Sequence, residues 1–537
     1  MLTFDSLDYP YSSRRNVTIA RNGMVATSQP LAADAGLEIL KKGGNAIDAA
    51  VATAACLTVV EPTSNGIGGD AFALFWHQGE LYGLNASGPS PERADREELV
   101  KQGYKKMPAY GTIPVTVPGA PSAWVTLNRE FGKISLEEVL APAVRIAREG
   151  FPISPVLGKY WHEGFEKYSQ HGKEEAFSEW FRVFAPNGRA PRIGEMWSSH
   201  DHAQTLQQIA ETAGEYFYKG EIAEKVDQFF YKYGGYLRGD DLEKYTPEWV
   251  DPISVKYRGH DVWELPPNGQ GIIALMALNM LSEDTMLERD LLDTCHRQIE
   301  AMKLAFADGV HYVTDPNHMD IESGDLLAEE YARARRKLIK ESAALPGPGE
   351  PSEGGTVYLA TADGEGNMVS FIQSNFMGFG SGIVLPETGV AFQNRGHGFS
   401  LEPEHNNVLE PGKKSFHTII PGFLTHDNTP IGPFGVMGGH MQPQGHLQVI
   451  MNTLDFGLNP QATLDAPRWM WTHDLKVRVE HRFPAHLADG LNRKGHDIDI
   501  SLDEKGFGRG QIIWRDPQSG VLFGGTEPRT DGSIASY

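Results

Sequence analysis

One stretch, Pro346 to Gly355 (PGPGEPSEGG), divides the chain into two blocks of different character and belongs to no packed element. Its prolines remove backbone donors and fix φ, its glycines add freedom, and its two glutamates keep it wet. Directly after it the apolar alternating run Val357 Tyr358 Leu359 Ala360 begins at Thr356. The fold must therefore accept a strand immediately behind an exposed or mobile peptide bond. Either the junction is an ordinary loop entering a strand, or it is a place where the chain is cut.

The block before Thr356 alternates helices with short strands. Helical spacing covers Ala32 to Lys42 and Ala46 to Val60, with Gly43 and Gly44 as a stop between them. Further helices are expected at Ser122 to Phe131, Leu136 to Glu149, Ala203 to Ala213, Gly271 to Leu281 and Leu291 to Asp308. The basic run Arg333 to Lys340 reads as the solvated face of a helix that ends before Pro346. The second block opens instead as a hairpin. Thr356 to Ala362 and Met368 to Ser374 flank the turn Asp363 to Asn367. Strand signals recur at Gly389 to Gln393, Thr418 to Leu424 and Gly520 to Phe523, with a helix at Gly445 to Leu454. The order predicts an α+β protein of stacked sheets with helices outside them.

Thr356 also carries chemistry. A cut before it would free an α-amine on the residue that bears the hydroxyl. Threonine is a weak nucleophile at neutral pH unless a base lies within hydrogen-bond reach, and its own terminal amine is such a base.

Composition narrows the partners. With 537 residues, 40% of them hydrophobic, and a formal charge of −22, the chain can bury a large core. That charge argues against nucleic acid or an anionic membrane as a partner, since either would favour a basic face, with the run Arg333 to Lys340 as the main exception. Residues 1–22 carry charges and no uninterrupted apolar block, so neither a signal peptide nor an anchor is expected, and no stretch is long enough to span a bilayer. The two cysteines, Cys56 and Cys295, fall in helical segments, which fits a reducing, cytoplasmic setting without structural disulfides.

The stretch Gly43 to Leu74 (GGNAIDAAVATAACLTVVEPTSNGIGGDAFAL) resembles the N-terminal signature of the gamma-glutamyltransferase family. The resemblance continues in that family's order through VPGAPSAW at Val117, LPPNGQG at Leu265, IEAMKLAFAD at Ile299, FGSGIV at Phe379, GGHMQPQ at Gly438, LDAPRW at Leu464 and EPRTDG at Glu527. It implies an N-terminal-nucleophile hydrolase with an αββα sandwich, made as a precursor that cuts itself between Gly355 and Thr356. Residues 1–355 would be the large-subunit segment and 356–537 the small one; together they would form a single domain, as fragments that stay associated. The resemblance implies Thr356 as nucleophile, Ser374 as the hydroxyl residue beside it, and the backbone N–H groups of Gly438 and Gly439 as the oxyanion hole. On the residues alone, Ser374 is equally an ordinary strand-end serine.

The acyl pocket departs from the family's gamma-glutamyl pattern. Gln393 Asn394 Arg395 Gly396 His397 Gly398 Phe399 stands where those enzymes carry an acidic segment, with Gly398 at its second acidic position. Arg395 favours a carboxylate or another anionic acyl group through bidentate hydrogen bonds. Phe376 replaces an asparagine and Tyr358 a histidine. Ala94 falls where an arginine grips the substrate carboxylate, with Arg93 one residue away, and His417 and Thr418 replace two serines. Arg93, Asn394, Arg395, His397, His417 and Thr418 are the candidate substrate-binding residues. The pattern is most similar to the acylase-like branch, which includes cephalosporin acylases and amidohydrolases of small dicarboxylic monoamides.

The sequence Gly66 to Ala71 fits a loose dinucleotide fingerprint but follows a helix, outside any βαβ setting. Gly378 to Gly382 is no nucleophile elbow, since its serine comes one place late. His397, His405, His417, His440 and His446 read as pocket or surface residues, not a metal site, and nothing in the sequence requires a cofactor. The expected partner is a small-molecule amide with an anionic acyl group; a homodimer stays open. An alternative from another class is an uncleaved, inactive homologue that binds a small anionic ligand through Arg395.

Overall fold

The computed structural model describes residues 10–12, 15–285, 288–346 and 355–537. The linker reading therefore falls, from residue 347 to 354, outside the described residues; Gly355 already opens a strand.

Two seven-stranded sheets, antiparallel throughout, lie face to face. The first runs across in the order Ser533–Ser536, Gly23–Thr27, Gly355–Asp363, Met368–Phe376, Asp70–His77, Glu80–Ala86, Glu248–Val250. The second is ordered Thr18–Ala20, Leu522–Thr526, Arg509–Arg515, Thr429–Met437, Gly422–His426, His260–Glu264, Ile253–Tyr257. Each sheet thus interleaves strands from before and after Thr356. Two-residue periodicity sorts the side chains of strand Gly355–Asp363. Tyr358, Ala360 and Ala362 join Met24, Phe72, Ile372 and Phe423 in the core between the sheets. Val357 and Leu359 face the other way, into the helix Ala46–Val60.

That helix is buried along its whole length, so it reads as apolar all round and not as an amphipathic stripe. Asn45 begins it with a capping box closed by Asp48. On the far side, helices Gly271–Leu281 and Met441–Leu454 cover Leu424, Phe434, Val436 and Ile512 of the second sheet. The result is four layers, helices on sheet on sheet on helices. This is the αββα sandwich that the resemblance implies, and the predicted α+β class is correct.

Two expected strands differ. Gly389 to Gln393 makes only isolated bridges, Val384 with Ala391 and Gly68 with Phe392. Thr418 to Leu424 becomes regular only at Gly422. The reason lies in competing partners: Ile419 N donates to His417 Nδ1, Ile420 N to Gln442 Oε1, and Pro421 has no N–H to give. No helix among the described residues is long and apolar enough to cross a membrane.

Candidate active site

Thr356 stands at the start of strand Gly355–Asp363, beside the end of strand Met368–Phe376. The register shifts between Gly355 and Val357, an irregularity that falls on Thr356 at the end of this interior strand. Its side chain is buried and its Oγ1 lies 3.2 Å from the Ser374 hydroxyl, which also accepts from Phe376 N at 2.8 Å. Ser374 in turn pairs in register with Asp70, the first residue of strand Asp70–His77. Three neighbouring strands therefore deliver Thr356, Ser374 and Asp70 to one end of the sheet.

Asp70 organises the buried cluster beside it. Its Oδ1 accepts from Gln393 Nε2 at 2.8 Å and from Gly88 N at 3.2 Å, and its Oδ2 lies 2.9 Å from His417 Nε2. Arg395 approaches the same Oδ2 only to 3.7 Å, beyond hydrogen-bond reach. The Arg395 guanidinium rests over the Phe376 ring at 4.3 Å and spends Nη1 on Thr418 Oγ1 at 2.9 Å. Its Nε, the atom that faces Asp70, and its Nη2 are buried with no hydrogen-bond partner among the described residues. Those two atoms form one edge of the guanidinium, the edge that grips a carboxylate with two parallel bonds. Burial lowers the Arg395 pKa to about 10, against the pull of Asp70, so the side chain is a cation at neutral pH. His417 and His440 are both pushed down to about 4, first by burial and then by the Arg395 cation, and are neutral imidazoles at pH 7.

Gly438 and Gly439 follow strand Thr429–Met437 on the opposing sheet, and contacts along that strand fix where they lie. A Cβ built on Gly432 would meet Met368, Phe434 O lies 3.5 Å from Ser370 Oγ, and Gly435 sits on the Tyr358 ring. The strand thus climbs from the Met368 end towards Thr356 and Ser374, and the glycine pair comes next. Both glycines have positive φ, +134° and +58°, which turns the chain into helix Met441–Leu454. Among the described residues no turn, loop or side-chain acceptor takes the N–H of either glycine. Gln270 ties this turn to the cluster, donating from Nε2 to Gly439 O at 2.9 Å and to Thr418 O at 2.6 Å.

The sequence candidates divide accordingly. Thr356, Ser374, Arg395, His417 and Thr418 form one connected group, with Gly438 and Gly439 joined to it through Gln270. Asn394 is used as scaffold, donating to Ala109 O and accepting from Met377 N. His397 lies on the far side of Phe376, ring centroids 6.4 Å apart, with Nδ1 on Met107 O. Arg93 is not brought into the group: its half-exposed guanidinium pairs with Asp240 at 2.8 Å, while neighbouring Ala94 packs into a small satellite core. Tyr358 points between the sheets, its hydroxyl 2.8 Å from Ser370 Oγ. Sequence reasoning missed Asp70, Gln270 and Gln393, and it left His440 unassigned. Asp70 had a legible signal, a carboxylate opening the otherwise apolar run Ala71 to Trp76.

The group of metal-type side chains His296, Glu300 and His496 lies elsewhere, on helix Leu292–Tyr312 and the loop at Gly495. Its atoms are already committed: His296 Nδ1 to His496 Nε2 at 2.8 Å, His296 Nε2 to Lys340 O at 2.8 Å, and Glu300 to the Lys303 ammonium at 2.5 Å. With Lys303 Nζ donating to Ala344 O, these contacts pin residues 340–344, the stem from which the linker departs.

Comparisons with known proteins agree with this geometry. The family model for gamma-glutamyltranspeptidase matches residues 32–537. The chain is 36% identical to the glutathione hydrolase-like YwrD proenzyme of Bacillus subtilis, covering 96% of this chain and 98% of that one. It is 33% identical to the oxamate amidohydrolase proenzyme of Klebsiella pneumoniae, covering 97% and 99% respectively. Among solved structures, a cephalosporin acylase from Bacillus halodurans superposes with a TM-score of 0.96 at 60% identity, covering 99% of both chains.

Proposed function

The chain belongs to the gamma-glutamyltranspeptidase family of enzymes, and from that premise we propose that it is a self-cleaving N-terminal-threonine amidohydrolase acting on amides with an anionic acyl group. The observation that carries the acyl reading is the buried Arg395, whose Nη2 and Nε make no hydrogen bond among the described residues, Nε standing 3.7 Å from Asp70 Oδ2, while the rest of the side chain is fixed by Phe376 and Thr418. A dicarboxylic monoamide fits: one carboxylate on Arg395, the scissile carbonyl between Thr356 and the Gly438–Gly439 turn. Among the described residues the cluster around Arg395 offers no unpaired acid for an α-ammonium, because Asp70 is already taken by Gln393, Gly88 and His417 and faced by Arg395. That favours an acyl group without the amine of a gamma-glutamyl residue. The relatives named for cephalosporin and oxamate point the same way.

Maturation and turnover use one hydroxyl. Thr356 Oγ attacks the carbonyl carbon of Gly355, the C–N bond breaks as its nitrogen takes the proton, and water opens the resulting ester. Residues 1–355 and 356–537 then remain as two fragments of one folded body. In turnover the freed α-amine takes the Thr356 hydroxyl proton as Oγ attacks the substrate amide. Developing oxyanion charge falls to the two glycine N–H groups, each such donor being typically worth about 3 kcal/mol of barrier. The amine leaves with a proton, and water, entering by the same route, releases the acid. The two buried, unpaired cysteines support a reducing, cytoplasmic setting.

Intact mass under denaturing conditions, beside a Thr356→Ala variant, tests the reading. Two fragments meeting between Gly355 and Thr356, absent in the variant, are expected. A single uncleaved chain in both would overturn the assignment of Thr356.

A further inference from the structure

His440 follows the glycine pair and stands at the start of helix Met441–Leu454. It is buried, and its plane is fixed by two rings, Phe416 stacked at 5.9 Å and Phe306 T-shaped at 5.9 Å. Its Nδ1 has no hydrogen-bond partner among the described residues, and neither have Gln442 Nε2 and Gln270 Oε1 around the same turn. Buried polar atoms without partners are costly, and a polar ligand would satisfy them.

Charge narrows the ligand. Arg395 is faced by the Asp70 carboxylate at 3.7 Å, and His417 and His440 are neutral, so the cluster is balanced before any substrate arrives. An acyl carboxylate on Arg395 would add one buried negative charge with nothing to cancel it, which a low-dielectric interior penalises. His417 cannot answer it, being occupied by Asp70 and by Ile419 N. His440 can. Burial first, and then the Arg395 cation, hold its pKa down to about 4, and the positive end of the helix acts in the same sense. A carboxylate in this place offsets both positive influences. Other charges on the elements packed against His440 are paired: Lys303 with Glu300 and Asp308 with Arg335 on the helix of Phe306, and Lys414 with Glu248 near Phe416.

We propose that His440 is a second recognition residue for the acyl group, donating from Nδ1 to the carboxylate held by Arg395 and taking up one proton from solvent as that carboxylate binds. Anionic acyl groups are then favoured more strongly as pH falls, and neutral ones are not. This inference rests on the acyl reading above.

The test uses the cleaved enzyme with a dicarboxylic monoamide and the amide of the monocarboxylic acid of equal length, both of one amine. Between pH 6 and pH 8 the substrate carboxylate stays ionised, and titration of the Thr356 α-amine affects both substrates alike, so the ratio of the two kcat/KM values isolates the proton. That ratio is expected to fall at least about tenfold from pH 6 to pH 8. His440→Gln keeps a donor but takes no proton; its ratio is expected to be flat with pH and about tenfold lower at pH 6. Self-cleavage of the variant into two fragments shows that it has folded. A ratio above one that does not change with pH in the unaltered enzyme would overturn the role of His440 and leave the acyl reading intact, as would a slope that survives in His440→Gln. No preference for the dicarboxylic monoamide at any pH would overturn the acyl reading and the role of His440 together.

Discussion

Replacing Arg395 by methionine keeps most of the side-chain volume over Phe376 and removes the cation, so it isolates what that cation does. The structure sets the magnitude. Nη1 is engaged by Thr418, which leaves the Nε and Nη2 edge to make two charge-assisted bonds to an acyl carboxylate. Each such bond is worth about 1.5–3 kcal/mol, and some is offset by desolvating the carboxylate next to Asp70. A net of about 3–4 kcal/mol corresponds to a loss of about 10²- to 10³-fold in kcat/KM. Arg395→Lys restores a point charge without the fork and is expected to recover about tenfold of that loss. The assay compares a dicarboxylic monoamide with the amide of the monocarboxylic acid of equal length, whose turnover should fall much less. Asp70 keeps Gln393, Gly88 and His417 as donors in the variant, so the fold is expected to survive, and self-cleavage reports on it. Equal losses on the two substrates would remove Arg395 from acyl recognition.

Three other perturbations follow from the same geometry. In Gly438→Ala a Cβ would stand 3.1 Å from Gly508 Cα on a backbone with φ of +134°; the turn must shift, and kcat is expected to fall about 10²-fold with KM nearly constant in steady-state kinetics. Ser374→Ala strands the buried N–H of Phe376 and frees Thr356 Oγ1 from its neighbour, so denaturant unfolding should show a loss of about 1–3 kcal/mol and self-cleavage, followed by mass, should slow. His202, His417 and His440 are each lowered from 6.5 to about 4, chiefly by burial. Their neutral forms contribute stability that is complete above pH 6.5 and is lost as pH falls towards 4, because the unfolded chain takes up protons the native one refuses. Each contributes at most about 2 kcal/mol of loss between pH 7 and pH 5. Buried Glu61 and Glu264, with raised pKa values, act in the opposite direction and mask the sum, so the histidines are read one by one by NMR titration of the native protein, and imidazoles that take up protons near pH 6.5 would refute the neutral assignment.

Much of this architecture was legible before any coordinates, and the parts that were not share a cause. The helix Ala46–Val60 and the hairpin beyond Thr356 announce themselves because their signals are local: a capping box, a period, a turn of Asp, Gly and Asn. The stretch from Thr418 to Pro421 is irregular because side chains take its backbone groups, and two of the three, Gln270 and Gln442, lie outside any local window around it. The same applies to the site. Thr356 and Arg395 were identifiable by chemical type and by resemblance, whereas Arg93 was a guess from proximity in sequence to Ala94, and a one-residue step on the chain turned it to the surface. Asp70 and Gln270 act through partners more than a hundred residues away, a distance at which pattern is silent.

The interleaving of strands across the cut has a consequence for the history of each molecule. While the chain is continuous, the strand Gly23–Thr27 finds its place beside Gly355–Asp363 within one polymer, at the cost of closing a loop. After the proposed cleavage the same pairing would join two separate molecules, through contacts made beforehand. A precursor unfolded and returned to native conditions should recover at any dilution. A mature protein treated the same way must reassemble by collision, with a yield that falls on dilution. The proposed cut would thus give the protein a memory: its working form would be reached by a path that cannot be retraced from its own pieces with the same ease.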